Sequence, residues 1–171
     1  MIKKEDLIKY FHDGCKDVNR LHIGVEHEKL LFNKKSNQRV DYKTVKNILI
    51  FLKKFGWKSV EEKNNLVALR KDNKSITLEP GNQIELSGAP LSSIHENCGE
   101  SYEFLAEIRK ACIHFDLRMM STSYDPFSKL ENVPKTPKQR YKIMTEEMPK
   151  NGKLSLDMMY QTCGTQINLD Y

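Results

Sequence analysis

The sequence predicts an α+β domain, a mostly antiparallel sheet flanked by helices. Three features carry that expectation. Residues 57–62, 66–70 and 75–78 are short runs of β-branched and apolar residues, separated by Asn64-Asn65 and Asp72-Asn73. Short strands joined by such turns pair as an antiparallel meander. Val45, Ile48, Leu49, Leu52 and Phe55 recur at helical spacing. Ser93 and Glu96 form an S-x-x-E start before a second helical stripe, Ile94, Cys98, Tyr102, Leu105, Ile108, Cys112 and Phe115. Strands in a run with interspersed helices belong to the α+β class.

The remaining elements follow in order. Ile2, Leu7, Ile8 and Phe11 fit one face of a short helix stopped by Gly14. Residues 21–32 read as an apolar strand, and residues 33–38 as a polar turn. Gly56 stands where the helix around Ile48 needs a left-handed cap. Residues 83–87 and 117–122 are further strand candidates. Residues 123–137 hold Pro126, Pro134 and Pro137, which rule out regular structure there. Residues 138–148 read as a helix ended by Pro149, and residues 162–169 as the final strand.

With 171 residues, the chain is long enough for one domain with a substantial core. The formal charge of +5 comes from basic residues mixed with acids along helices and turns. That pattern is a solvated surface, with neither the clustered patch nor the motif that nucleic-acid binding needs. No apolar run approaches a membrane span. The N-terminus lacks the apolar stretch of a signal peptide and the Arg- and Ser-rich character of a transit segment, so a cytoplasmic protein is expected. Cys15, Cys98, Cys112 and Cys163 are scattered without metal-ligand spacing and read as free thiols.

Two acidic segments stand out. In Gly24-Val25-Glu26-His27-Glu28-Lys29, the E-x-E spacing on a strand aims Glu26 and Glu28 to one side. His27 then points away and reads as a core or supporting histidine. In Leu78-Glu79-Pro80-Gly81-Asn82-Gln83-Ile84-Glu85-Leu86-Ser87-Gly88-Ala89-Pro90, two carboxylates flank a Pro-Gly turn. An unbroken strand would aim Glu79 and Glu85 to one face, but the turn leaves that parity open. Four acids in apolar strands are costly unless a cation sits among them. In the last strand Gln166, Asn168 and Asp170 alternate with Ile167 and Leu169, so one polar face can look into a site. Glu61 and Glu62 read as solvent-facing. The Met158-Met159 pair and Cys163 read as structural.

These segments resemble the glutamate–cysteine ligases of the plant and proteobacterial type. The matching pieces also include Arg140-Tyr141-Lys142-Ile143-Met144 and residues 156–170, in family order across almost the whole chain. The resemblance implies a glutamine-synthetase-like fold and synthesis of γ-glutamylcysteine from glutamate, cysteine and ATP with magnesium. It implies Glu26, Glu28, Glu79, Glu85 and Gln166 as metal-binding residues. It also implies Asn168, Arg140, Tyr141 and Gln161 as substrate- or nucleotide-binding residues.

Two departures qualify it. The family's second glycine after Pro-Gly is Asn82, which tolerates a left-handed conformation. Family members often carry arginine where Gln161 stands, so a charge contact is lost or moved. Family members are more than twice as long, and the chain ends at the last strand. The sequence therefore reads as the N-terminal part of one catalytic domain, with a C-terminal segment or second chain missing. A related ligase with another amine acceptor and a non-catalytic metal- or nucleotide-binding module are the alternatives.

Overall fold

The structure, a computed structural model, describes residues 2–171. Five α-helices appear among the described residues: α1 (Lys4–Gly14), α2 (Tyr42–Leu52), α3 (Ile94–His114), α4 (Gln139–Glu147) and α5 (Ser155–Gln161). Seven strands accompany them: β1 (Ile23–Asn33), β2 (Lys58–Glu62), β3 (Asn65–Lys71), β4 (Lys74–Leu78), β5 (Ile84–Ser87), β6 (Leu117–Met120) and β7 (Thr165–Leu169). The sheet runs β2-β3-β4-β5-β1-β6, and every pairing is antiparallel. β7 shares the β6 edge of β1: it pairs along residues 23–27, and β6 along residues 30–33. The expected α+β class and antiparallel sheet are therefore found.

Local chemistry explains the boundaries. Asp41 caps α2 by accepting from the Thr44 N–H, and Gly56, at φ 93°, ends the 3-10 turn behind it. Ser93 and Glu96 form the expected reciprocal capping box at α3. The β2–β3 turn falls one residue earlier than the Asn64-Asn65 reading, with Lys63 and Asn64 both at positive φ. Two consecutive left-handed residues give the twist a tight hairpin needs.

α2 and α3 cover one face of the sheet. Ile48, Leu49 and Leu52 of α2 and Phe104, Ile108 and Ala111 of α3 join Leu31, Leu69, Ile76, Leu78, Ile84 and Leu86 in the main core. Alternation along β4 and β5 then sends Thr77, Glu85 and Ser87 to the opposite face. That face, which α4 meets only at Arg140 and Tyr141 beside the acids, stays largely open, as an antiparallel sheet allows.

Three expectations change. α1 forms, but none of its residues is buried, so its apolar stripe is not part of the core. The α3 stripe holds only in its C-terminal half: Leu105, Ile108, Cys112 and Phe115 pack in or against the core together with Phe104 and Ala111, whereas Ile94, Cys98 and Tyr102 are exposed. α5 has no counterpart in the sequence reading, because seven residues are too few for a helical period to show. Its Met159 and Tyr160 are buried with Val133 and Tyr141 in a second small core, and Met158 is exposed.

Candidate active site

Three carboxylates meet on the open face. Glu28, Glu79 and Glu85 each bring an oxygen within 4.8 Å of the other two, a grouping able to hold a metal ion. Register accounts for two of them: Glu28 on β1 is paired with Glu85 on β5, and Glu85 with Thr77 on β4. Glu79 is not on a strand. It begins the β4–β5 turn, which closes with the Glu79 N–H donating to the Gln83 carbonyl at 2.9 Å. That turn resolves the open parity, bending the chain so that Glu79 reaches the same face as Glu85.

The turn depends on its sequence. Asn82 takes φ 60°, so the substitution for glycine is accommodated in a left-handed conformation. Gly81 is packed so tightly that a Cβ there would overlap the Tyr160 carbonyl oxygen. The Gly81 carbonyl accepts from the Arg39 guanidinium, which also pairs with Asp125 at 3.0 Å in full burial.

Each acid is held differently. Glu85 accepts from the Thr77 hydroxyl at 3.0 Å and the Ser87 hydroxyl at 2.8 Å. Burial, and then the nearby Glu79, push its carboxyl up to about 7. Burial also raises the Glu28 carboxyl, against the pull of the Gly164 N–H, which donates to it at 2.8 Å. Glu79 lies 3.0 Å from the Tyr141 hydroxyl. Glu26 stands beside the trio and accepts from Asn168 at 3.0 Å and Gln166 at 3.3 Å. The cleft has a volume of about 380 Å³; Lys138 and Arg140 line it together with Glu26, the three clustered acids and Gln166.

Glu26, Glu28, Glu79, Glu85, Gln166, Arg140 and Tyr141 are therefore gathered in one cleft, with Asn168 bonded to its rim. Gln161 is not among them. It is buried, accepts from the Tyr124 hydroxyl and donates to the Ser128 carbonyl. Both polar atoms of its amide are thereby engaged, and it does not line the cleft. Asp170 also leaves the polar ladder, accepting from Lys16 at 2.6 Å and the His22 N–H at 3.0 Å. Glu62 accepts from the Gln139 N–H at 2.7 Å and so caps α4. His27 points to the α3 side, where burial lowers its pKa. Cys163 is buried and its thiol is pushed up to about 11, which keeps it protonated. Lys138 escaped the sequence reading because nothing in its local pattern separates it from surface lysines.

Comparison with known proteins fits this arrangement. A family profile described as Glutamate-cysteine ligase family 2 (GCS2) matches residues 22–171. The chain belongs to the glutamate–cysteine ligase family 2. Glutamate–cysteine ligase A of Oryza sativa subsp. japonica is 39% identical over 171 residues, covering 99% of this chain and 35% of the rice protein. The ligase of Nicotiana tabacum is also 39% identical, with 33% of its length covered. That of Arabidopsis thaliana is 37% identical, again with 33% covered. The chain thus spans about a third of the length of these curated relatives. All three relatives are named chloroplastic, a finding that overturns the cytoplasmic expectation. No described helix is long and apolar enough to cross a membrane.

Proposed function

We propose that this chain supplies the acidic half of the catalytic site of a glutamate–cysteine ligase. The reaction joins the γ-carboxylate of L-glutamate to the amine of L-cysteine at the expense of ATP, the first step of glutathione synthesis. The single observation that carries the reading is the convergence of Glu28, Glu79 and Glu85 within 4.8 Å on an open sheet face. Three hard oxygen donors at that spacing suit magnesium, which prefers carboxylates and retains waters. Glu26 and Gln166 would extend the metal site, and Arg140 and Asn168 would meet substrate or nucleotide. On this reading the sheet is the N-terminal part of a glutamine-synthetase-like domain.

The chemistry explains why acids are needed beside an anionic substrate. A carboxylate oxygen of glutamate forms a bond to the γ-phosphorus while the bond from that phosphorus to the bridging oxygen of ADP breaks. The cysteine amine then attacks the acyl carbon, releasing phosphate and a proton. Bound magnesium would neutralise the repulsion between carboxylate and triphosphate. The chain's own acids hold that charge in place, and Arg140 offers a planar fork to phosphate or carboxylate oxygens. Tyr141 serves differently, because its hydroxyl lies 3.0 Å from both the Leu78 carbonyl and Glu79. Its one proton is shared between them, so it supports Glu79.

Magnesium titration of the chain by calorimetry tests the metal site. Phosphate release coupled to product detection, with cysteine against other amines, tests the reaction. It is run with and without the remaining two-thirds of the rice relative as a second chain. Magnesium binding and cysteine-dependent release that vanish together in Glu79→Gln support the reading. A chain indifferent to magnesium sinks it.

A further inference from the structure

The turn that carries Glu79 is held from outside the sheet. Thr136, itself buried, donates its N–H to the Pro80 carbonyl at 2.9 Å. Its hydroxyl lies 2.6 Å from the Glu79 carbonyl and 2.8 Å from the Asn82 side-chain oxygen. The same hydroxyl accepts from the Asn82 N–H at 3.3 Å. Two residues on, the Lys138 ammonium donates to the Leu78 carbonyl at 2.7 Å and to the Tyr141 hydroxyl at 3.4 Å. Pro137 lies between them and limits the backbone of Thr136 to extended conformations.

We infer that Thr136 and Lys138 are positioning residues that lock the Leu78–Asn82 backbone so that the Glu79 carboxylate stays opposite Glu28 and Glu85. This rests on the metal-site reading above. The need for a lock is electrostatic. Three carboxylates within 4.8 Å repel. Glu28 and Glu85 are fixed by strand pairing, but Glu79 lies beyond the last ladder pair, Leu78 with Ile84. Without the clamp the turn would relax outward and carry Glu79 away. Lys138 is suited to this because its ammonium binds backbone, which does not move with any side-chain rotamer. The N–H and hydroxyl of Thr136 are taken up by the turn, and two of the three Lys138 ammonium donors are taken by the Leu78 carbonyl and the Tyr141 hydroxyl.

The test uses the 171-residue chain without metal. Amide hydrogen exchange is read at Glu79 and Asn82, with Leu69 and Ile76 of the distant β3–β4 ladder as references. Thr136→Val and Lys138→Met should speed exchange in the turn roughly fivefold or more, the effect of losing one hydrogen bond. The reference amides should not change. Thr136→Ser, which keeps the hydroxyl, should hold the parent rate, and Lys138→Met alone decides should the valine variant fail to fold. Unchanged exchange in the turn of both Thr136→Val and Lys138→Met overturns the inference. Magnesium affinity gives a second, opposed readout. Removing a cation near a metal site tightens binding by charge alone, whereas a displaced Glu79 weakens it. Severalfold weaker binding in Lys138→Met supports the clamp, and tighter binding overturns it. Failure of the parent chain to bind magnesium would defeat the metal-site reading, while the exchange data would still decide the clamp.

Discussion

Glu28 and Glu85 are register partners, two carboxylates directly across from each other on neighbouring antiparallel strands. Like charges so placed destabilise a sheet. Burial, with the nearby Glu79 adding to it, raises both carboxyls from their ordinary values, so removing one charge from this group relieves it.

Neutralising one member should therefore stabilise the metal-free chain. Glu85→Gln retains an oxygen that accepts from Thr77 and Ser87. Its urea midpoint at neutral pH should equal or exceed the parent's, by up to about 1 kcal/mol. Magnesium affinity should fall at least tenfold. A destabilised variant with intact magnesium binding would contradict both the repulsion and the metal assignment.

The pH dependence has a definite sign. Glu85 titrates at about 7 in the folded chain against an ordinary 4.5. The native state thus holds a proton that the unfolded chain has already released. Its stabilising contribution is complete below pH 4.5 and is lost as the pH rises through 7. His27, whose pKa burial lowers from the ordinary 6.5, acts in the opposite direction: its contribution is present above 6.5 and is lost as the pH falls below it. Comparing the parent with Glu85→Gln isolates the acid. Urea titrations at several pH values should show the parent losing stability relative to the variant between about pH 5 and pH 8, and magnesium should restore it.

On the proposed reading, with the remaining two-thirds of the rice relative supplied, Glu79→Gln should reduce turnover by orders of magnitude, because the acid would help hold charge that develops in the transition state. The fold should survive, since the Tyr141 hydroxyl still meets an oxygen. Circular dichroism and the coupled phosphate assay together separate these outcomes.

Glu61 and Glu62 are adjacent but unequal. Glu61→Gln, on an exposed strand position, should change stability by no more than about 0.5 kcal/mol. Glu62→Ala removes the cap on the first turn of α4 and should cost about 1 kcal/mol. Thermal unfolding of the two variants checks the contrast, and equal midpoints would show that the cap contributes nothing.

Replacing Asp125 by Ala should be the most damaging of these changes. It leaves the buried Arg39 guanidinium without its ion partner and should cost about 3–5 kcal/mol. The loss should appear as a lower urea midpoint with the slope unchanged.

Much of the fold was legible because its signals are local. A capping box needs only Ser93 and Glu96, a helix C-cap only Gly56, and a meander only short apolar runs with Asn and Asp between them. The E-x-E spacing alone put Glu26 and Glu28 on one side of a strand. What depends on contacts distant in sequence was not legible. Whether Glu79 joined Glu85 turned on the shape of a five-residue turn, held by Thr136 and Lys138 more than fifty residues away. Gln161 and Asp170 sat within site motifs, but Tyr124, Ser128, Lys16 and His22 claimed their polar atoms. The α3 stripe was buried only from Leu105 onward, because the sheet, not the helix, sets how much of an apolar face is covered. Composition and periodicity determined the elements and the acids they carry. Only the tertiary structure decided which acids meet, because strand register and turn geometry are set by packing between segments that sequence order keeps apart.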